Sequence, residues 1–278
     1  MNLGCGSRIN SAWRNLDVNP YVDGVESWKA SAGIPAPSQS VDMIYHSHLL
    51  EHLYMEEGED LVQECFRVLK PGGILRIVVP DLERICRDYL TSLKEVDQGT
   101  KHAHMNAYWM RLELFDQMTR KASGGKMLQF IQSNPDNKEF LIKRCGKEIL
   151  PSISAGSTIS HSAPPLQGIP LHLNFKQFLK NFFNLSWHKE KLLKALLTDS
   201  DYDALRYGRF NKSGELHKQM YDRISLQELL QKVGFIKCTI QSHLSSLIPN
   251  WKEFHLDNTR LGESRKPDSL YFEAVKPE

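Results

Sequence analysis

Over residues 1–81 the chain alternates short apolar runs with amphipathic or polar stretches, which predicts alternating strands and helices. Runs of strand character fall at 2–4, 15–18, 24–28, 41–46 and 74–80. The last two are mostly apolar, Val41 to Tyr45 and Ile74 to Val79, as befits central strands covered on both faces. Between them Leu61, Cys65, Val68 and Leu69 share one stripe of a helix spanning about Glu56 to Lys70. Glu56, Glu57, Glu59 and Asp60 crowd its first turn, where the helix dipole favours acids. Lys70-Pro71-Gly72-Gly73 stops it. Strand, helix and strand with a tight glycine exit is a βαβ unit, so the sheet is parallel there.

From about residue 84 to 220 helical patterns dominate, at Arg84–Glu95, Ala103–Ala122 and Phe175–Leu197, split by a Ser, Pro and Gly-rich loop from Pro151 to Pro170. Phe175, Phe178, Leu179, Phe182 and Phe183 form an aromatic stripe opposite Lys176 and Lys180, which reads as a packing lid ahead of a membrane-surface helix. The α/β rhythm then returns. Ser225 caps a helix over Leu226–Val233 with Glu228 at its third position, Gly234 ends it, and strands follow at 235–241 and 269–275. The pattern is one α/β sheet formed by 1–83 and 221–278, interrupted after its fifth strand by a helical insertion, 84–220, that recognises substrate.

Composition narrows the function. Apolar residues make up 41% of the 278, enough for a proper core, and a net charge of +2 gives no basic footprint for nucleic acid. The cysteines, Cys5, Cys65, Cys86, Cys145 and Cys238, are scattered and form no C-x-x-C pair. That spacing argues against a disulfide framework or a cysteine zinc site and fits a reducing, cytoplasmic setting. No apolar run reaches the length of a membrane span, and no secretory signal opens the chain. The first strand begins almost at Met1, so the chain reads as started late, without the helix that often precedes such a strand.

The candidate chemistry begins at Asn2-Leu3-Gly4-Cys5-Gly6, a strand that breaks into a Gly-x-Gly turn. Two glycines let backbone approach a ligand without Cβ clash. A second short strand, Asn15-Leu16-Asp17-Val18, presents an acid of the kind that holds a ribose diol. Ile9 stands where a dinucleotide fingerprint needs its third glycine, and Asp17 comes too early for that fingerprint, so NAD is disfavoured while adenosine-binding geometry survives.

Further blocks extend the pattern. Ser40-Val41-Asp42-Met43-Ile44-Tyr45-His46-Ser47-His48-Leu49-Leu50-Glu51-His52-Leu53 is followed by Glu64-Cys65-Phe66-Arg67-Val68-Leu69-Lys70-Pro71-Gly72-Gly73 and Ile77-Val78-Val79-Pro80. In this order the segments of 1–81 resemble class I S-adenosylmethionine-dependent methyltransferases of the type 11 kind. A weaker resemblance covers 225–275, and 84–220 resembles no family. The resemblance implies a Rossmann-like, mostly parallel seven-stranded sheet with an antiparallel last strand. It implies S-adenosylmethionine as cofactor, with Gly4, Cys5 and Gly6 under its methionine end, Asp17 on the ribose, Val18 beside the adenine, and His46 and Ser47 lining the methionine side. The chain departs from the family where Asn2 replaces an acid, Arg8 replaces a third glycine, and Lys29-Ala30-Ser31 replaces an Asp after the third strand.

His48-Leu-Leu-Glu51-His52 also matches the inverted zincin pattern, in which two histidines on one helix bind zinc. Ubiquinone-biosynthesis O-methyltransferases carry a similar E-x-x-E-H here, and by that resemblance His48, Glu51 and His52 would position a divalent ion. The simpler reading, that Glu51 and His52 satisfy backbone groups at a helix start, assigns no metal ligand. Asp81 and Glu83 lie at the ligand-binding edge of the sheet, contacting acceptor or capping the next helix. The combined expectation is a methyltransferase acting on an oxygen or nitrogen of a small molecule or glycan, with His48 as general base and His52 second. Nucleic acid is not an expected partner, and the oligomeric state is open. The rivals are a metal-dependent hydrolase and a degenerate, non-catalytic domain.

Overall fold

The computed structural model describes residues 1–158 and 185–278. Seven strands, β1 (Asn2–Leu3), β2 (Asn15–Asp17), β3 (Val25–Ser27), β4 (Val41–Ser47), β5 (Leu69–Pro80), β6 (Ile236–Gln241) and β7 (Ser269–Val275), form one sheet in the order β3-β2-β1-β4-β5-β7-β6. The first five pair in parallel, and β7 lies antiparallel between β5 and β6. The Rossmann-like sheet with an antiparallel last strand is therefore present as the sequence predicts. Residues 4–14, between β1 and β2, contain no helix.

Strand alternation divides the apolar residues between two faces. Ile44 on β4, Leu75, Ile77 and Val79 on β5, and Leu270, Phe272 and Ala274 on β7 join Leu3 and Leu16 in one core. The helix α1 (Met55–Val68) covers that face with Leu61, Val62, Cys65 and Val68, all buried. Each such aliphatic side chain contributes roughly 1.5–3 kcal/mol by leaving water. The helix starts where Glu57 Oε2 accepts the Tyr54 N–H at 2.9 Å.

The opposite face carries Tyr45, Val78 and Tyr271 against Trp13, Ile248, Trp251 and Leu256. At its centre Arg76 is fully buried. Its guanidinium donates to Asp257 Oδ2 at 2.8 Å, to Glu273 Oε1 at 2.6 Å, and to the carbonyls of Ser242 (2.7 Å) and Ser245 (3.0 Å). It also lies 4.5 Å from the Trp251 ring centre. Tyr45 donates to the other Asp257 oxygen at 2.6 Å. Burial pushes the Asp257 carboxyl up, against the opposing pull of Arg76. This network pins residues 242–257, a stretch with little regular structure, onto the sheet.

Between β5 and β6 the described chain is helical: α2 (Leu82–Asp97), α3 (Ala103–Thr119), α4 (Gly125–Gln132), α5 (Lys138–Cys145), α6 (Leu150–Thr158), α7 (Leu185–Leu196), α8 (Asp199–Asn211) and α9 (Arg223–Val233). Ile85, Trp109, Met110, Ile131, Leu141 and Ile153 give these helices a core of their own. In it Arg144 donates to Glu113 Oε2 at 2.7 Å.

Several boundaries differ from the sequence pattern. The expected loop at 151–170 is helical as far as Thr158, and the rest of it lies outside the described residues. The Phe175–Phe183 stripe also lies outside them, and the helix expected from Phe175 is described from Leu185 to Leu196. The helix α9 begins at Arg223 rather than Leu226, because Asp222 accepts the N–H groups of Ile224 (2.9 Å) and Ser225 (2.8 Å). Ser225 is therefore the third helical residue, and its hydroxyl accepts the Asp222 N–H at 2.9 Å. Gly234, at φ 111°, ends the helix as expected. Asp81 caps α2 by accepting the Arg84 N–H at 3.0 Å, while Glu83 pairs with Arg223.

Two outcomes are expected. Arg76→Met leaves two buried carboxylates without their cation and costs about 3–5 kcal/mol; urea unfolding checks this, and a change below about 1 kcal/mol would contradict the network's weight. His46, fully buried on β4 with no hydrogen-bond partner for its ring among the described residues, has its pKa lowered to about 4 by burial, partly offset by Glu51. The unfolded chain then binds a proton that the folded chain refuses, so stability falls as pH drops from 6.5 towards about 4. His46→Leu should lessen the fall in Tm over that window, as followed by circular dichroism.

Candidate active site

The chain leaves β1 through Gly4, Cys5 and Gly6, and both glycines have positive φ, 61° and 52°. A Cβ on Gly4 would sit 3.1 Å from Leu49 Cδ1, whereas one on Gly6 would enter open space. Asn2 donates to the Arg8 carbonyl at 2.7 Å and to Asn15 Oδ1 at 3.0 Å. The residue that replaces the family's acid thus folds the glycine turn back onto the sheet. At the end of β2, Asp17 Oδ2 accepts the Gly6 N–H at 2.8 Å and Oδ1 accepts the Asn19 N–H at 2.9 Å. Glycine turn and strand-end acid therefore share one edge of the molecule. Val18, next in line, is 50% exposed.

Beside this turn lies a cavity of about 300 Å³, lined among others by Asn2, Gly4, Cys5, Gly6, Tyr45, Ser47 and His48. Glu148, from the helical region, and Leu256, Asp257, Arg265 and Lys266, from the segment before β7, complete its wall. The sequence pattern gave no sign of these last residues, which come from stretches without a recognisable motif. Arg8 pairs with Glu148 across the mouth, and Arg265 Nη1 stands 3.3 Å from the same carboxylate.

The alternation of β4 sorts its candidates. Tyr45 and Ser47 point to the cavity side, while Ile44 and His46 point into the core beneath α1. His46 is thus fully buried and is not among the cavity-lining residues, contrary to the expected place on the methionine side. Burial and the Asp17 charge push the Cys5 thiol up to about 11, so it stays protonated at neutral pH.

After β4 the chain turns sharply. His48 adopts a positive φ of 53°, and its N–H donates to the Val78 carbonyl at 2.9 Å. Its Nε2 lies 3.0 Å from Ser269 Oγ, and its Nδ1 lies 2.9 Å from Glu51 Oε1, at ion-pair distance but off hydrogen-bond alignment. Residues Leu50–His52 form a single 3₁₀ turn, so His48 and His52 do not share an α-helical face. His52 is not among the cavity-lining residues; its ring packs edge-on against His217 with centres 4.8 Å apart. Burial lowers the pKa of His52, and that of His217 to about 3. Glu51 is fully buried; burial pushes its carboxyl up, but His48, His217 and His52 outweigh this and bring it down to about 2.

The carboxylate of Glu51 does not cap a helix as the simpler reading expects. Neither of its oxygens has a hydrogen-bond partner among the described residues. Its backbone carbonyl accepts the N–H groups of Lys218 (2.6 Å) and Gln219 (3.2 Å).

Residues 7–77 match the family model of a methyltransferase domain. A Mycolicibacterium smegmatis protein named a probable S-adenosylmethionine-dependent methyltransferase is 40% identical over 50 residues, which are 18% of this chain and 19% of that protein. Among solved structures, a SAM-dependent methyltransferase from Archaeoglobus fulgidus aligns with 99% of this chain and 84% of its own, at 13% identity and a TM-score of 0.37. PKMT2 from Rickettsia typhi, in complex with AdoHcy, aligns with 99% of this chain and 48% of its own, at 11% identity and a TM-score of 0.34. These two structural likenesses are too weak to carry an assignment. The domain match starts just past the glycine turn, includes Asp17 and ends within β5, so residues 7–77 of the sheet are similar to an S-adenosylmethionine-dependent methyltransferase domain.

Proposed function

We propose that the chain transfers the sulfonium methyl of S-adenosylmethionine to an oxygen or nitrogen of a small-molecule or glycan acceptor. The observation that carries this reading is the 2.8 Å bond from the Gly6 N–H to Asp17 Oδ2, which sets a ribose-binding acid against a glycine turn. The residues fit the cofactor. Gly6 faces open space, where backbone and ligand can approach closely. Each Asp17 oxygen keeps a lone pair for a ribose hydroxyl after accepting one backbone N–H.

When bound, S-adenosylmethionine supplies a methyl group already activated by the positive sulfur. The protein's part is then mainly to place an acceptor in line and to take its proton. Ser47 lines the methionine side, and Val18 is available beside the adenine. Arg265 and Lys266 bring positive charge towards an amino-acid carboxylate, and Asp257 brings negative charge towards its ammonium. Cys5 contributes shape rather than charge, since its thiol stays protonated.

His48 is the base. It lines the cavity, and the nearby Glu51 carboxylate favours a proton on Nδ1, leaving Nε2 as the acceptor. His52 gives up its proposed share of this role, because it lies against His217 and Leu216. The limited cavity, its mixed polar lining and the pair of Arg8 and Glu148 at its mouth favour a small acceptor or a sugar over a nucleic-acid strand. The helical region supplies Glu148 to that mouth, which supports its assignment to acceptor recognition. Free cysteines support a reducing, cytoplasmic setting, and no helix among the described residues is long and apolar enough to cross a membrane. The hydrolase reading has less support, because its two histidines are not one helical turn apart.

Asp17→Ala removes a charged acceptor and should weaken S-adenosylmethionine binding roughly ten- to a hundredfold. Titration calorimetry with wild type and variant tests this. Equal affinities would remove Asp17 from the site, and no binding by wild type at about millimolar cofactor would end the enzyme reading.

A further inference from the structure

We propose that Glu51, His52 and His217 form a binding site for a single divalent first-row cation of the zinc type. The site is separate from the methyl-transfer reading and does not depend on it. One donor atom from each of the three residues lies within 4.8 Å of the other two. Glu51 and His52 follow β4, whereas His217 arrives from the far end of the helical region, so the ligands come from segments remote in sequence.

The strongest sign is the state of Glu51. Its side chain is fully buried, and both carboxylate oxygens lack a hydrogen-bond partner among the described residues. A buried carboxylate without such partners is costly unless a cation meets it. Among the described residues no lysine or arginine forms an ion pair with it. His48 approaches Oε1, which leaves Oε2 for an ion.

The two histidines are prepared in the way metal ligands are. His52 Nδ1 lies 3.3 Å from the Leu216 carbonyl. A proton held there fixes the tautomer and leaves the Nε2 lone pair bare, as an outer-shell carbonyl does for metal-bound imidazole. His217 is 5% exposed, and its Nδ1 is buried without a partner among the described residues. Backbone bonds hold the two segments together without any ion: Lys218 N–H to the Glu51 carbonyl at 2.6 Å, and Gln219 N–H to the same carbonyl at 3.2 Å. The side chains then need only small rotations to draw in on an ion about 2.0–2.2 Å from each donor.

Two imidazoles and one carboxylate suit zinc and neighbouring divalent ions rather than magnesium or calcium. Three protein ligands leave one position of a tetrahedron open. The ion would fasten the turn after β4, which carries His48, to residues 216–217 of the opposite segment. This replaces the expectation of no metal, and His217 replaces His48 in the ligand set that the H-x-x-E-H pattern suggested.

Full-length protein stripped with chelator is titrated with cobalt(II), followed by its visible ligand-field bands, and then with zinc. Saturable bands at one ion per chain, bleached by zinc, are expected. In His217→Gln and Glu51→Gln, with folding checked by circular dichroism, cobalt affinity should fall more than about a hundredfold. His104→Ala, an exposed histidine elsewhere on the surface, should bind as wild type does. Asp17→Ala should keep the cobalt spectrum while losing cofactor affinity, which separates this site from the methyl-transfer reading. X-ray absorption on zinc-loaded wild type decides the matter where a variant folds poorly, with two imidazoles and an oxygen donor expected around the ion. No saturable bands in wild type, unchanged binding in both ligand variants, or a zinc shell without histidine would overturn the site.

Discussion

The carboxylate of Asp17 is anchored by two backbone N–H groups, one from Gly6 and one from Asn19. Those bonds do two things together. They fix the direction of an acid at the end of β2, and they hold the glycine turn after β1 in a left-handed conformation that other residues adopt only at a cost. Neither strand exceeds three residues, so the strands alone would hold this edge weakly. The side chains of Asn2 and Asn15, bonded to each other and to the turn, supply the missing rigidity.

The far wall of the same cavity depends on a different kind of interaction. Asp257 lines it, and Asp257 is held by Arg76 and Tyr45 on the same face of the sheet. A buried ion network is weak evidence for net stability, yet losing one member is severe. It specifies where an otherwise irregular segment must lie. The glycine turn and the 242–265 segment thus meet because β4 and β5 alternate, with Tyr45 and Arg76 sharing the face that Ile44 and Leu75 do not.

The sheet was largely legible in the sequence because its central strands are apolar runs broken by glycine and proline, and because α1 has a single apolar stripe. Asp17 and Gly6 were legible as a motif, although their contact with each other was not, since no local pattern encodes a side chain reaching back to an earlier turn. The histidines are less legible. A period of two on β4 carries His46 into the core, and the positive φ of His48 breaks the helix that a spacing argument assumes for His48 and His52. His217, Glu148, Asp257 and Arg265 gave no sign at all, because they reach their places through long connections whose paths depend on tertiary contacts. The start of α9 was displaced because Asp222, a stronger cap than Ser225 in this setting, stands three residues earlier.

A crystal structure of the chain with S-adenosylhomocysteine tests the central claim most directly. The expected result places the ribose hydroxyls on Asp17 and the homocysteine over Gly4 to Gly6, with Ser47 beside it. A nucleoside bound elsewhere, or Asp17 making only its two backbone contacts while the ligand is present, would contradict it.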